Sequence, residues 1–283
     1  MVELPNRIIP LLQVKGPNLV KGIQLEGLRV LGSPQAFASY YYQQGADEII
    51  YLDIVASLYQ RNHLAQVLRQ ATETVFVPVT AGGGVRSVAD ALTLLRQGAD
   101  KVAVNTGALR RPELLRELAD ALGCQAVVLY VEARCRNGWW ECLTDNGRET
   151  SGRDVLEWVP QAVEQGAGEV LLLSVDRDGT GRGFDLELIA AVAQGLTVPL
   201  IAAGGAGSPE HVAQALQAGA DAVALASLLH YQAMERVPQS LSGQEGNRLF
   251  LDGQRGPGQP LAGATITEVK AALSEAGFMV RPT

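Results

Sequence analysis

Short runs of mostly apolar residues recur along the chain, and longer amphipathic stretches separate them. Each run is apolar at consecutive positions, which is typical of a strand buried on both faces of a parallel sheet. The runs cover residues 7–13, 48–53, 75–80, 101–104, 126–132, 169–175, 198–203 and 222–225. Helical patterns lie between them, for example at 34–44, 88–97, 112–122, 155–165 and 209–218, and a final one spans 267–276. Eightfold alternation of strand and helix predicts an α/β fold, the (β/α)₈ TIM barrel.

The two halves of the chain repeat each other at an offset of 121 residues, the step from Val77 to Val198. Residues 77–103 and 198–224 align without a gap, and both contain a Gly-Gly turn followed by a serine. A repeat of this length predicts that the barrel consists of two half-barrels, so that a ligand site is present twice.

One segment interrupts the alternation of strands and helices. Residues 232–264 are rich in Gly, Pro, Gln and Ser, and they separate the eighth strand from the last helix. We therefore expect one barrel over residues 1–283 with an insertion at about 232–264. Two interpretations stay open, a surface insertion and a lid, because loops after barrel strands lie on the catalytic face.

Composition narrows the class of protein. The chain has 283 residues, is 47% hydrophobic and carries a formal net charge of −7, which disfavours nucleic acid as a partner. Cys124, Cys135 and Cys142 are odd in number and show no metal-ligand spacing, so we expect a cytoplasmic protein without a metal or cofactor. The N-terminus does not resemble a signal peptide, and no apolar run approaches the roughly 18 residues of a membrane span.

Glycine-rich turns after barrel strands suit phosphate, because glycine allows close approach and the N–H groups of a helix start favour anions. The first half offers Gly83, Gly84, Asn105 and Thr106, and the second offers Gly204, Gly205, Ala226 and Ser227. The alternative is that these glycines only permit tight turns. Two copies, each with a hydroxyl residue, favour phosphate binding and predict a bisphosphorylated substrate.

The chain resembles the cyclase subunits of imidazole glycerol phosphate synthase, a family of histidine-biosynthesis barrels. The resemblance rests on the segments 7–10, 51–54, 81–87, 104–106, 176–180, 183–185 and 203–207. It implies that Lys21, Asp53, Asp178 and Gly179 bind substrate. The implied reaction uses ammonia to convert a bisphosphorylated ribulosyl-formimino carboxamide into imidazole glycerol phosphate and aminoimidazole carboxamide ribotide.

The resemblance also implies a separate glutaminase subunit that supplies ammonia, forming a heterodimer. His63, His211 and His230 form no recognisable triad spacing, and no cysteine lies in a nucleophile context. Family members have a ring of charges that gates ammonia at the base of the barrel, and Arg7, Glu48, Lys101 and Glu169 match it. Two alternatives are mutual neutralisation of the four charges and a Schiff-base role for Lys101.

The sequence departs from the family where two catalytic aspartates are expected. Gln13 stands at the first position and Glu132 at the second. Glutamate keeps an acid–base group but displaces it by about one methylene, whereas glutamine only forms hydrogen bonds. Three hypotheses follow: a cyclase in which Glu132 transfers the protons, a specialised paralogue that aminates another substrate, and a non-catalytic barrel that activates a glutaminase.

Overall fold

The structure, a computed structural model, describes residues 4–56, 64–237 and 263–283. Its strands are β1 (Arg7–Lys15), β2 (Asn18–Ile23), β3 (Glu26–Gly32), β4 (Ile49–Asp53), β5 (Val79–Gly82), β6 (Lys101–Val104), β7 (Val127–Arg136), β8 (Trp139–Thr144), β9 (Glu149–Asp154), β10 (Glu169–Ser174), β11 (Leu200–Ala203) and β12 (Ala222–Leu225). Eight of the described strands pair in parallel in the order β1-β4-β5-β6-β7-β10-β11-β12, and β12 pairs again with β1. This closed ring confirms the predicted (β/α)₈ barrel.

Helices surround the barrel. They are α1 (Pro34–Gln43), α2 (Leu64–Ala71), α3 (Val88–Arg96), α4 (Thr106–Arg110), α5 (Glu113–Leu122), α6 (Val155–Glu164), α7 (Leu186–Ala193), α8 (Pro209–Gln217), α9 (Ser227–Ala233) and α10 (Ile266–Glu275), with a 3₁₀ turn at Cys124–Ala126. Within the described parts of the chain, no helix is long and apolar enough to span a membrane.

Two predicted strands begin two or more residues later than their apolar runs. β5 starts at Val79 instead of residue 75, and β11 starts at Leu200 instead of residue 198. In both cases a proline, Pro78 or Pro199, precedes the strand and cannot donate to the ladder. The proline carbonyls still accept from Ile49 and Val170 at 3.0 and 2.9 Å, so the apolar runs approach the sheet before they join it.

The half-barrel repeat is present in the backbone. Asp100 accepts a hydrogen bond from the Val79 N–H at 2.8 Å, and Asp221 accepts the matching bond from Leu200 at 2.8 Å. At the other end of the strands, Asn105 has φ −119° and ψ −89°, and Ala226 has φ −120° and ψ −88°. The two halves are therefore built alike at both ends of the barrel.

Alternation along the strands separates two apolar cores. On β1, Ile8 and Leu12 pack outward against the helices, whereas Ile9 and Leu11 pack inside the barrel. Because side chains alternate between the faces, Arg7 and Gln13 also point inward, at opposite ends of the strand. The barrel interior thus has charged and polar ends separated by an apolar middle.

Two hairpins that the sequence pattern did not predict extend from the barrel. β2 and β3 form an antiparallel hairpin after β1, and β8 and β9 form one after β7. Their strands are short and partly polar, so neither a buried run nor a clean alternation marks them. Residues 238–262 lie outside the described residues, so the insertion and lid interpretations of 232–264 both stay predictions.

Candidate active site

A closed ring of ion pairs lies at the N-terminal end of the barrel interior. Glu48 contacts Arg7 at 3.0 Å and Lys101 at 2.9 Å. Glu169 contacts Arg7 at 2.6 Å and Lys101 at 2.7 Å. Both carboxylates are buried, and Thr80 donates a further hydrogen bond to Glu48 at 2.5 Å. The four predicted residues therefore meet, and their two positive and two negative charges balance.

A cavity of about 200 Å³ opens at the opposite, C-terminal end of the first half-barrel. Among the residues that line it are Asp53, Gly83, Gly84, Asn105, Thr106, Tyr130, Glu132 and Asn146. Six of the predicted site residues thus share one wall. Arg86, Arg110 and Arg111 also line the cavity, so its mouth carries positive charge suited to an anion.

The glycine turn of this cavity has no space for a side chain. Gly83 has φ +110°, and a Cβ there would lie 2.3 Å from the Asp53 carbonyl oxygen. At the equivalent position of the second half, Gly204 has φ +89°, and its Cβ would lie 2.6 Å from the Ser174 carbonyl oxygen. Both turns bring main chain against main chain, which only glycine permits.

The second half-barrel has a smaller crevice. Asp178, Gly179, Gly204, Gly205, Ala226 and Ser227 contribute to its lining. Its volume is about 10 Å³, which is close to that of a single water molecule. The Ser227 hydroxyl is buried without a partner among the described residues, whereas the equivalent Thr106 accepts from the Asp145 N–H at 3.0 Å. The two crevices are therefore related in backbone but differ in volume and in the bonding of their hydroxyls.

The β2–β3 hairpin packs against the loop of Asp178, which lines this second crevice. Lys21 on β2 forms a buried ion pair with Asp178 at 2.6 Å. At the hairpin tip, the Gln24 N–H donates to the Asp178 carbonyl at 2.8 Å, and the Gln24 side chain donates to the Asp176 carbonyl at 3.0 Å. Lys21 and Asp178, both predicted to bind substrate, thus contact each other. We call this position of the hairpin, against the loop of Asp178, the docked position.

Gln13 and Glu132 both lie buried at the C-terminal end of the barrel interior. Oε1 of Gln13 has no hydrogen-bonding partner among the described residues, and Gln13 is not among the residues lining the first cavity. Glu132 lines that cavity and accepts a hydrogen bond from the Gly147 N–H at 2.8 Å. The two positions where the resemblance predicts aspartates therefore have distinct surroundings.

Burial raises the pKa of Glu132 from 4.5 to about 7. The negative charge of Asp145 contributes to this rise, and the Gly147 N–H and polar groups of Tyr130 and Asn105 oppose it, so that about 7 is the net result. A carboxyl group with a pKa near neutrality both accepts and donates protons at physiological pH. This is the property required of a general acid–base group.

The β8–β9 hairpin supplies site residues that the strand pattern did not single out. Its turn contains Asp145, Asn146 and Gly147, all at positive φ, and it places Asn146 in the cavity wall and the Gly147 N–H on Glu132. Leu25 at the β2–β3 tip is buried against the same turn, where a Cβ on Gly147 would lie 2.9 Å from it. The Asn-Gly pairs at 137–138 and 146–147 are hairpin signals in the sequence.

The described residues include no cluster of three His, Cys, Asp or Glu side chains that could hold a metal ion. His211 accepts a hydrogen bond from the Gly207 N–H, and His230 is buried between Tyr41 and the Leu11 carbonyl. His63 lies outside the described residues. The chemical groups gathered at the C-terminal face are instead one near-neutral carboxyl, amides, hydroxyls and glycine turns. These features define a two-fold repeated TIM barrel whose active-site face is suited to phosphorylated ligands.

Comparison with known proteins agrees with this class. The sequence pattern of the family described as "Histidine biosynthesis protein" matches residues 7–235. The chain is 54% identical over 205 residues to "Imidazole glycerol phosphate synthase subunit HisF" of Legionella pneumophila, covering 72% of this chain and 97% of that protein. It is 50% identical over 236 residues to the protein of the same name from Thermobifida fusca (strain YX), covering 81% and 92%. The chain belongs to the histidine biosynthesis family and, within it, to the HisF-type cyclase subunits of imidazole glycerol phosphate synthase.

Proposed function

We propose that this chain uses ammonia to close the imidazole ring of a bisphosphorylated ribulosyl-formimino carboxamide, and that Glu132 carries the proton transfers. The observation that carries this proposal is the position of Glu132. It is buried on the wall of a cavity that also contains a glycine turn, and its pKa is raised to about 7. The products are imidazole glycerol phosphate and aminoimidazole carboxamide ribotide.

The substrate spans the two halves of the barrel mouth. One phosphate binds at the turn of Gly83 and Gly84, where the backbone approaches the cavity and arginines line its mouth. The other binds at Gly204 and Gly205, together with the hydroxyl of Ser227. The second crevice is too small for a phosphate group in the docked state, so binding requires a shift of the hairpin that pairs with Asp178.

Gln13 binds the reacting molecule without transferring a proton. Its amide is buried at the C-terminal end of the barrel interior, and Oε1 is an unpaired acceptor. A substrate N–H or O–H group, or the entering ammonia, satisfies this acceptor. General acid–base catalysis contributes about 10²–10⁴-fold for each group, so dependence on one carboxyl instead of two lowers the rate.

Ammonia enters through the ion-pair ring at the opposite end of the barrel. Arg7, Glu48, Lys101 and Glu169 close this end, and above them lies the apolar interior formed by residues such as Ile9, Ile50 and Leu171. A neutral molecule crosses an apolar interior at lower cost than an ion does. The ring opens when one of its ion pairs separates.

A glutaminase subunit docks at the end of the barrel where the ring lies. Large apolar side chains are exposed there: Leu4 before β1, Phe76 before β5, and Met279, whose carbonyl accepts from the Asn6 N–H at 2.7 Å. Exposed apolar side chains at this end of the barrel suit burial by a partner subunit. The three cysteines are unpaired, which suits a cytoplasmic heterodimer with this partner.

Turnover of the bisphosphate carboxamide with a saturating ammonium salt and no glutaminase tests the chemistry. We expect both products, detected by mass spectrometry. Glu132→Gln should abolish turnover and leave substrate affinity similar, because the amide retains an acceptor for the Gly147 N–H. Unchanged turnover in this variant would exclude the role of Glu132.

Lys101→Met tests the ring. Removal of Lys101 leaves Glu48 and Glu169 with Arg7 as their shared cation. Glutamine-dependent turnover should fall while ammonium-dependent turnover persists. Lys270→Met is the matched control, because Lys270 forms a buried ion pair with Asp47 outside the ring. Equal effects of the two variants on both activities would indicate a purely structural role.

A second candidate function is amination of a different acceptor by a specialised paralogue, and Gln13 is the observation that favours it. An unpaired amide stands where the family has an acid. If this alternative is correct, wild-type protein binds the bisphosphate but forms no product, and Gln13→Asp raises cyclase activity little. A clear gain in Gln13→Asp would instead identify Gln13 as the main limit on a working cyclase.

A further inference from the structure

Two amide side chains of the first cavity each keep a buried polar atom without a hydrogen-bonding partner among the described residues. The atoms are Oδ1 of Asn105, an acceptor, and Nδ2 of Asn146, a donor. Both residues line the cavity. Because buried polar groups of folded proteins are almost always satisfied, two unsatisfied atoms of opposite type on one cavity wall indicate a ligand that supplies the missing partners.

A hydrogen bond holds the Asn105 amide in place, and neighbouring contacts fix the turn that carries Asn146. Nδ2 of Asn105 donates to the Leu143 carbonyl at 3.1 Å, which fixes the orientation of this amide and leaves Oδ1 as the open acceptor. Three residues beyond Leu143, Asn146 is only 8% exposed and occupies a turn position with φ +60°. The adjacent Asp145 is fixed by its N–H bond to Thr106 and by an ion pair with Arg110 at 2.7 Å. The two amides therefore belong to one interlocked corner of the site.

We propose that Asn105 and Asn146 form a donor–acceptor pair that recognises the carboxamide of the bound molecule, an inference that rests on the proposed function. A carboxamide offers one carbonyl acceptor and an NH₂ donor, which is the complement of this pair. Its carbonyl accepts from Nδ2 of Asn146, and its NH₂ group donates to Oδ1 of Asn105. A phosphate contact through the main chain of Asn105 leaves its side chain available for this role.

This pairing has a consequence for catalysis and for selectivity. Gly147, the neighbour of Asn146, donates its N–H to Glu132, so the carboxamide is held beside the catalytic carboxyl. If the ligand had a carboxylate in place of the carboxamide, it would offer no hydrogen-bond donor to Asn105. One of its negative oxygens would then face Oδ1 of Asn105, and the two acceptors would repel each other. The corner therefore discriminates a carboxamide from the corresponding acid.

The two products provide a direct test, because aminoimidazole carboxamide ribotide has the carboxamide and imidazole glycerol phosphate lacks it. Affinity for each is measured by isothermal titration calorimetry with wild-type protein, Asn146→Gly and Asn146→Asp. Glycine and aspartate both tolerate positive φ, so neither strains the turn. Asn137→Gly is the matched control, since Asn137 occupies an exposed hairpin turn at φ +50°.

We expect Asn146→Gly to weaken binding of the carboxamide ribotide about tenfold and to leave imidazole glycerol phosphate unchanged. Asn146→Asp, which exchanges the donor for an acceptor, should weaken binding of the carboxamide ribotide at least as much. Equal effects on both ligands, or no effect on either, would overturn the carboxamide assignment. Failure of wild-type protein to bind either product would instead refute the proposed function, and this inference with it.

Discussion

The buried carboxyl of Glu132 should make the protein less stable as the pH rises. Its pKa is about 7 in the folded chain, against an ordinary value of 4.5, because burial disfavours the charged form. Between these two values the folded state binds more protons than the unfolded state, so the free energy of unfolding falls with increasing pH. Above about pH 7 the loss is complete, and it corresponds to about 3 kcal/mol.

Glu132→Gln removes this loss, since glutamine stays neutral at every pH in the range. Relative to wild type, the variant should gain about 2–3 kcal/mol in free energy of unfolding between pH 5 and pH 8. Urea unfolding curves at intervals of one pH unit measure the difference. Groups that do not interact with Glu132 titrate alike in the two proteins and cancel, so the comparison reports on this carboxyl and its immediate neighbours.

Glu117→Gln provides a control that should be flat over the same range. Glu117 is exposed on α5, and Arg111 lowers its pKa through a side-chain hydrogen bond. The stabilisation that its carboxylate provides is complete above about pH 5 and is lost only at lower pH, so the difference between this variant and wild type should stay constant from pH 5 to pH 8. A difference between Glu132→Gln and wild type that stays constant from pH 5 to pH 8 would refute the assignment of a raised pKa to Glu132.

Three further changes test the architecture of the site. Lys21→Met leaves Asp178 buried without its cation, so amide hydrogen exchange in residues 18–32 should accelerate by more than tenfold. Mass spectrometry measures this exchange. Unchanged exchange would exclude the ion pair as the contact that anchors the hairpin. Gly83→Ala should lower the free energy of unfolding by about 2–4 kcal/mol in urea melts, since its Cβ meets a main-chain oxygen at 2.3 Å. Gly16→Ala, which has open space around its Cβ, should cost only about 1 kcal/mol, and equal losses in the two variants would contradict the packing argument.

The barrel could be predicted because the sequence pattern that indicates it occurs repeatedly along the chain. Buried parallel strands read as apolar runs, and the 121-residue offset from Val77 to Val198 assigned equivalent positions to both halves. The meeting of Arg7, Glu48, Lys101 and Glu169 was likewise expected from the family resemblance, and the structure joins them by ion pairs of 2.6–3.0 Å. Periodicity thus accounts for the scaffold, and the family resemblance accounts for its charged end.

The two hairpins were not predictable from the same signal. β9 contains the partly exposed residues Glu149–Asp154, and its conformation comes from pairing with β8, since an apolar face is lacking. Tertiary contacts that no local pattern encodes place Asn146 in the cavity and Leu25 against Gly147. The near-neutral pKa of Glu132 could not be predicted from the sequence either, because it depends on how completely the surrounding elements exclude water.

The docking of the β2–β3 hairpin links the position of this hairpin to the charge of Glu132. Leu25 at its tip shares the apolar cluster of the barrel interior with Tyr130, directly beside Glu132, and it contacts the turn whose Gly147 N–H holds that carboxyl. If the tip withdraws, water reaches Glu132 and removes the burial that raises its pKa to about 7. Near pH 7 the open site would therefore carry more negative charge than the closed one. Electrostatic repulsion would then oppose the binding of phosphorylated products, so that movement of the hairpin and release of products would be coupled.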